Sequence, residues 1–371
     1  MKNSPRIDDR RTLPPATGAK LLDTGTDSRR PSSTAGIAKS PSLAHSSPHI
    51  ETLSLLVCIA EDCFAKANAA CQSVAKSMSA DEIKEHHKLV ATGLACLEVA
   101  MKHKQLSPRV EARLCLRYAG ILIEETTNTN EAEIALTRGI AVCEKHLFLD
   151  LKYNSQFLLM KTLFQRNPKA ALKSIDSHIA DCKTFNHVHW FYAFRFLKAL
   201  FYTQSGAAAD NQALDNLRTI ARTALQRDEK MIFVMATLLE GLAHLGTMKE
   251  DWHMRVQNCI AQAAKLQMDA SAHLPQIDIL LLFLDLACSL RQRSHQVVNN
   301  KLAVLEKRVG ELDHSADWPA FSSEVLLPIR RHPNSPPTIS NDTRAVIRPG
   351  DSEMDYLVLS ALGKQEASAL M

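Results

Sequence analysis

The feature that most constrains the fold is the stretch 110–145, in which two amphipathic helical segments follow each other. In both segments, VEARLCLRYAGILIEE and EAEIALTRGIAVCEK, small and bulky apolar residues recur at helical spacing. Small residues let a neighbouring helix approach closely, and large ones fill the gap beside them. The predicted packing positions are Leu116, Ala119, Gly120, Ile123, Ala132, Leu136 and Gly139. The stretch therefore predicts two helices packed face to face, with Gly120 at a close approach.

Counted from Arg113 as the first position, these packing residues fall on the tetratricopeptide signature. The usual proline near its end is replaced by Glu144. Comparable helical pairs can be laid over 50–312, at a period of about 40 residues rather than the usual 34. The predicted fold is all-α: a tetratricopeptide-like (TPR-like) α-solenoid, a right-handed superhelix of antiparallel helix pairs.

The segments on either side of 50–312 lack this pattern. Residues 1–49 are rich in Ser, Thr, Pro and Arg and poor in large apolar residues, so they cannot bury enough surface to offset chain entropy. We expect a disordered tail there. From 313 onward, proline-containing dipeptides predict an irregular segment, 313–371, that ends in a short helix within MDYLVLSALGKQEASALM. No polar outer face caps the stack, a pattern expected of a truncated chain.

Composition narrows the function further. A net charge of +4 without a basic stripe argues against direct sequence-specific DNA binding. The nine cysteines form no CxxC pair, and Cys58, Cys96, Cys115, Cys143, Cys259 and Cys288 lie among apolar helical residues, so we predict buried thiols. No secretory signal opens the chain, and the longest apolar run, 277–290, is too short to span a bilayer. We therefore expect no membrane partner.

The sequence contains none of the common nucleotide-binding, hydrolase or metalloprotease motifs. His86 and His87 could share a metal with Glu82, but no third ligand follows nearby, so a solvated pair is the favoured interpretation. We predict no catalytic, cofactor-binding or metal-binding residues. A helical enzyme that uses His187 or His189 is the disfavoured alternative.

A solenoid of this kind offers a concave surface, built mainly from the first helix of each pair, on which an extended peptide can lie. Two sets of side chains are predicted to face it, one at the usual groove positions in the first helix of 110–145 and one in the aromatic-rich helix that begins at His187. They are Arg117, Ile121, Glu124, Tyr192, Arg195, Lys198 and Tyr202. The aromatic residues of 187–204, together with His187 and His189, are expected to form core plus groove lining. The alternative is a solvated face without a ligand.

Two longer segments of the sequence resemble a known family. The segment LSPRVEARLCLRYAGILIEETTNTNEAEIALTRGIAVCEKHLFLDLKYNSQFLLMKTLFQRNPKAALKSIDSHI, with HWFYAFRFLKALFYT after it, resembles the cohesin loading factor family, and its fungal members above all. This family is the smaller tetratricopeptide subunit of the cohesin loader. The resemblance covers about 50–312, and the VEAR phrase and the small-residue repeat after it are its most specific parts.

The resemblance implies a nuclear, chromatin-associated and non-enzymatic protein. Its partner would be an extended N-terminal segment of the large HEAT-repeat loader subunit, and the pair would help to load cohesin on chromatin and support sister chromatid cohesion. Contact with cohesin and chromatin would pass through the complex. No individual binding residue is carried over. The alternative from the repeats alone is a generic tetratricopeptide adaptor of a cytoplasmic chaperone or ubiquitin-ligase complex.

Overall fold

The computed structural model describes residues 52–104, 106–247, 249–267, 274–293, 295–313, 323–332, 337–350 and 353–360. The predicted disordered tail, 1–49, lies outside these ranges, as do Trp318 and the last residues, 361–371. Within them, no helix is long and apolar enough to cross a membrane.

The described residues form twelve α-helices in six consecutive hairpins. Their bounds are α1 Thr52–Ser77, α2 Ala80–Met101, α3 Pro108–Glu125, α4 Thr129–His146, α5 Leu149–Arg166, α6 Pro168–Thr184, α7 Val188–Gln204, α8 Asn211–Gln226, α9 Lys230–Leu245, α10 Trp252–Gln267, α11 Pro275–Arg291 and α12 His295–Asp313. Each helix packs on the next along the chain. The predicted helical-hairpin solenoid is confirmed.

Proline marks the start of three of these helices. Pro108, Pro168 and Pro275 each occupy the first turn, where the missing N–H has no helical partner to lose. At the start of α6, the Asn167 side chain also accepts a hydrogen bond from the N–H of Ala170 at 3.1 Å. The sequence therefore fixes these boundaries locally.

One tight turn recurs where a second helix passes to the next first helix. Leu147, Asn186 and Asp228 each adopt a left-handed backbone conformation, with φ of 59°, 56° and 56°. In each turn the N–H of the following residue donates to a carbonyl in the last helical turn, at 2.8 to 3.0 Å. These are Schellman-type caps. Their spacing of about 40 residues matches the repeat length.

The predicted packing positions of α3 and α4 differ in how closely neighbouring atoms approach them. Ala119, Ala132 and Leu136 are fully buried between the helices. A Cβ on Gly139 would lie 3.1 Å from Cβ of Cys115, so α3 and α4 approach closely there. Around Gly120, in contrast, no atom lies within 4 Å of a Cβ position, and the close approach expected there is absent. Leu116 and Ile123 are partly buried.

The cysteines are free thiols. Cys115, Cys143, Cys182, Cys259 and Cys288 are buried, and burial raises the pKa of the Cys115 thiol to about 11. Cys58, expected to be buried, is exposed on α1, and Cys96 is partly buried.

The C-terminal segment differs from its prediction, because it contains a three-stranded antiparallel sheet. Its strands are β1 Glu324–Arg330, β2 Ile347–Pro349 and β3 Met354–Ser360, in the order β1-β3-β2. A single 3₁₀ turn, Asn341–Thr343, precedes β2. The expected terminal helix is therefore wrong for Met354–Ser360, and the rest of it lies outside the described residues. We call these strands and the 3₁₀ turn the C-terminal sheet.

The alternation of apolar side chains explains the strands. In β1, Val325, Leu327 and Ile329 are buried while their neighbours are less so, which is the two-residue period of a strand. Pro328 is tolerated because β1 is an edge strand of the sheet. The buried residues of β1, together with Ile347 and Leu357, belong to the same hydrophobic core as α7 and α9.

Helix α7 supplies the centre of that core. Its aromatic side chains are buried, namely Trp190, Phe191, Tyr192, Phe194, Phe196, Phe201 and Tyr202. Tyr153 of α5 stacks on Trp190 with ring centroids 5.5 Å apart. The aromatic run of 187–204 is therefore mainly structural.

Candidate partner-binding face

Several first helices of successive pairs lie side by side. Helix α3 contacts α5, α5 contacts α7, and α9 contacts α11. We call the surface formed by α3, α5, α7 and α9 the first-helix face. It is the surface that a solenoid of this kind uses to hold an extended segment.

A groove runs along α3, between α1 and α5, and has a volume of about 460 Å³. Arg113, Arg117, Gly120 and Glu124 of α3 line it at steps of three and four residues. The other walls come from α1, α5 and residues 342–346. We call this feature the α3 groove.

The three residues of α3 that were predicted to face a partner are not equivalent. Arg117 and Glu124 line the α3 groove. Arg117 also binds Glu61 of α1 through two hydrogen bonds, at 2.7 and 2.8 Å, and so joins α1 to α3. Ile121 is only 5% exposed and belongs to the core between α1, α2, α3 and α4. Of the three predicted residues of α3, Arg117 and Glu124 therefore lie in the groove and Ile121 does not.

The residues of α7 that were predicted to face a partner point to neighbouring helices instead. Tyr192 is fully buried. Arg195 donates to Asn216 of α8 at 3.1 Å, and Lys198 lies 2.5 Å from Asp176 of α6. Tyr202 donates to Gln212 at 3.2 Å. These contacts hold α7 between α6 and α8, so the structure does not bring these four residues to the first-helix face.

The C-terminal sheet covers the first-helix face from α5 to α9. The Trp190 Nε1–H donates to the Thr338 carbonyl at 2.9 Å, and the Asn154 side chain donates to the Asp342 carbonyl at 2.7 Å. Strand β1 lies against α9. The face on which we expected a partner is therefore partly occupied by the chain itself.

The apolar side chains of the C-terminal sheet are deeply buried, which attaches the sheet to the rest of the chain. Five of its apolar side chains are at most 1% exposed: Val325, Leu327, Ile329, Ile347 and Leu357. At roughly 1.5 to 3 kcal/mol for each fully buried side chain, they contribute on the order of 10 kcal/mol, as an upper bound. We therefore expect the sheet to stay in place when a partner binds.

Charged residues fix the 3₁₀ turn to α3. The Arg113 Nε–H donates to Asp342 Oδ2 at 2.8 Å, and Arg109 Nη2 lies 3.4 Å from the same oxygen. Arg109 also forms a salt bridge with Asp150 of α5. Burial alone would raise the pKa of Asp150, but hydrogen bonds from Ser340 and Arg109 outweigh it and hold the pKa below its usual value. We call this set the Asp342 cluster.

A second, buried charge cluster joins β3 to α7. The Asp355 carboxylate is fully buried, with Oδ2 3.3 Å from His189 Nε2 and 3.1 Å from Arg331 Nε. The Gly350 N–H donates to its other oxygen at 3.3 Å. Burial would raise the pKa of Asp355, but His189, Arg331 and the Gly350 N–H more than offset it and hold the pKa well below its usual value.

The remaining histidines that the sequence singled out are also placed by neighbours. His187 Nδ1 lies 2.7 Å from the Tyr153 hydroxyl, and burial lowers the pKa of His187. His86 Nε2 lies 3.9 Å from a Glu125 carboxylate oxygen, and Glu82 accepts a hydrogen bond from the Ser77 hydroxyl at 2.7 Å. No group of three or more His, Cys, Asp or Glu side chains that could hold a metal occurs in the part of the chain that the structure describes.

Sequence reasoning missed the residues that attach the C-terminal sheet. Asn154 and Arg109 bond to Asp342, which is far away along the chain, and no local pattern predicts such a pair. The strands themselves left a weak signal, since EVLLPIR and MDYLVLS each contain a short apolar run, which is consistent with a buried strand but also with a helix.

Comparison with known proteins identifies the family. Residues 52–371 match the family model described as Cohesin loading factor. The chain belongs to the cohesin loading factor family. The match to this family continues through the C-terminal sheet, which lies beyond the 50–312 resemblance seen in the residues. The sheet is therefore part of what the cohesin loading factor family model recognises.

A solved structure supports the fold of this cohesin loading factor family member. The crystal structure of Scc4 in complex with Scc2n matches with a TM-score of 0.56 and 12% sequence identity. The alignment covers 72% of this chain and 46% of the Scc4 chain, so this chain spans about half the length of that protein. At this identity the likeness concerns the fold. No curated protein sequence matches the chain.

Proposed function

We propose that this protein is a non-enzymatic scaffold subunit of a cohesin loader, and that it holds an extended N-terminal segment of the large HEAT-repeat subunit. Membership of the cohesin loading factor family is the observation that carries the proposal. The matched Scc4 structure is a complex with Scc2n, and an analogous partner is proposed for this chain.

The geometry supports a holding role. The α3 groove is partly open to solvent and lined by both apolar and charged side chains, which suits an extended peptide. A disordered partner loses conformational entropy when it binds, so a preformed groove on rigid helices favours the complex. We propose that the loader acts in the nucleus, where it supports cohesin loading on chromatin and sister chromatid cohesion. Contact with cohesin and chromatin would pass through the complex, without direct reading of DNA sequence.

Co-expression tests the proposal. The full chain is produced with and without a tagged N-terminal segment of the large subunit, and soluble yield and co-elution in gel filtration are measured. We expect one stable complex with equal amounts of both chains. Absence of co-elution, with recovery of heat-shock chaperones from a cell extract instead, would favour the generic adaptor and overturn the proposal.

A further inference from the structure

The α3 groove has one closed and one open end. At the closed end, the Asp342 cluster joins α3, α5 and the 3₁₀ turn. At the other end lie Glu124 and Lys161, near the C-terminal ends of α3 and α5. A chain entering the groove would therefore pass between Glu124 and Lys161.

Those two side chains are exposed, and Glu124 also interacts electrostatically with Arg117. In the described part of the chain, neither Glu124 nor Lys161 forms a hydrogen bond or salt bridge through its side chain, whereas Arg113 and Arg117 in the same groove are both paired. They also form no salt bridge with each other. Two exposed charges of opposite sign, neither of them in a hydrogen bond or salt bridge within the described residues, are complementary to a segment that carries one acidic and one basic side chain.

The floor of the groove is apolar and open. Leu116, Phe157 and Leu158 line it and are only partly buried. Above Gly120, no atom lies within 4 Å of a Cβ position, so a large side chain of a ligand can rest on the helix backbone there. Because the C-terminal sheet already covers α5 to α9, this is the open part of the first-helix face next to the start of the solenoid.

We propose that the α3 groove is the anchoring site for the large subunit's N-terminal segment. The segment would place a large apolar side chain over Gly120, with an acidic residue paired to Lys161 and a basic residue paired to Glu124. This inference rests on the proposed function and deepens it, because it limits the partner to a stretch of that chemistry and to one groove.

The experiment uses the full chain and overlapping fluorescent peptides that tile the large subunit's N-terminal segment. Binding is measured by fluorescence anisotropy. Gly120→Leu places a side chain in the groove at a position where an added Cβ meets no neighbouring atom within 4 Å, and it should raise the Kd of the best peptide at least about tenfold. Lys161→Glu should raise it roughly fivefold, and reversal of the peptide's acidic residue should restore part of the loss.

Two matched controls keep the test specific. Gly310→Leu makes the same change at another helical glycine, in α12, which also has no atom within 4 Å of a Cβ position. Lys173→Glu makes the same charge reversal on the exposed surface of α6. Both controls should bind the peptide as the wild type does. Circular dichroism should show wild-type helicity for all four variants.

The outcomes separate the inference from the proposed function. Weakened binding in Gly120→Leu and Lys161→Glu alone supports the groove. Wild-type affinity in both, with a peptide that does bind, overturns the groove and leaves the proposed function in place. If no tiled peptide binds the wild-type chain, the proposed function fails and the groove assignment fails with it.

Discussion

Leu147 holds a left-handed backbone conformation, φ 59°, in the same turn that uses Asn186 and Asp228 elsewhere. A leucine costs roughly 1 to 2 kcal/mol in this conformation, and asparagine tolerates it better. The Leu147 side chain is also 80% exposed, so its removal gives up little burial. Single residues thus carry strain that the repeat does not require.

We expect Leu147→Asn to raise the free energy of unfolding by about 0.5 to 1 kcal/mol. Urea denaturation measures the change. Leu225→Asn is the control, because Leu225 is 64% exposed but lies within helix α8. That control should give no gain. A less stable Leu147→Asn variant would show that the turn does not depend on backbone strain.

Substitution of Gly120 in α3 and of Gly139 in α4 is expected to change stability in opposite directions. Gly139→Leu should cost about 1 to 3 kcal/mol, because a Cβ already meets Cys115 at 3.1 Å. Gly120→Ala should instead stabilise by about 0.5 to 1 kcal/mol, since alanine is the better helix former and space is free. Thermal unfolding of both variants checks the pair. Equal losses in the two would contradict the packing described for α3.

At the scale of elements, the Asp342 cluster attaches the C-terminal sheet to the solenoid. Asp342→Ala should lower the free energy of unfolding by roughly 1 to 3 kcal/mol, because Arg109 and Arg113 lose a charged hydrogen-bond acceptor. Hydrogen exchange should rise first at residues 341–347. Glu98→Ala, which removes an exposed pair with Lys102, should change neither quantity noticeably. Unchanged exchange in Asp342→Ala would mean that apolar packing alone places the 3₁₀ turn.

The buried Asp355 cluster predicts how the attachment of β3 responds to acid. Because the pKa of Asp355 is lower in the folded chain than its unfolded value of about 3.9, its contribution is complete above about pH 4. That contribution is lost as the pH falls through the folded-state pKa. Asp355→Asn should lower the free energy of unfolding by roughly 1 to 3 kcal/mol at pH 7. The stability of the variant should also depend less on pH in the acid range. If the variant loses stability at low pH as steeply as the wild type does, other carboxylates cause the acid sensitivity.

The elements differ in how far the sequence could predict them. The helices follow a 3.6-residue period and have proline or left-handed turns at their ends, so local residues define them. The orientation of α7 could not be predicted in this way, because most of its side chains are buried and its apolar residues favour no single face. The sheet depends on contacts such as Trp190 to Thr338, between residues far apart in sequence.

At the scale of the whole molecule, the chain combines a helical solenoid with a sheet that closes part of its first-helix face. The sheet reduces the surface that a partner can reach, and Asp342 makes it one wall of the α3 groove. The family explains why a scaffold is expected, and the described side chains indicate where such a scaffold is open. Five of the seven groove residues predicted from position alone lie against neighbouring helices instead, because Ile121, Tyr192 and Tyr202 are buried and Arg195 and Lys198 bond to α8 and α6.

Hydrogen exchange on the full chain, with and without the large subunit's N-terminal segment, tests the central claim most directly. We predict protection in α3 between Arg113 and Glu124 and in α5 near Lys161, with unchanged exchange in β1 and β3. Protection confined to the second helices, or faster exchange in the strands as they leave the first-helix face, would contradict the account.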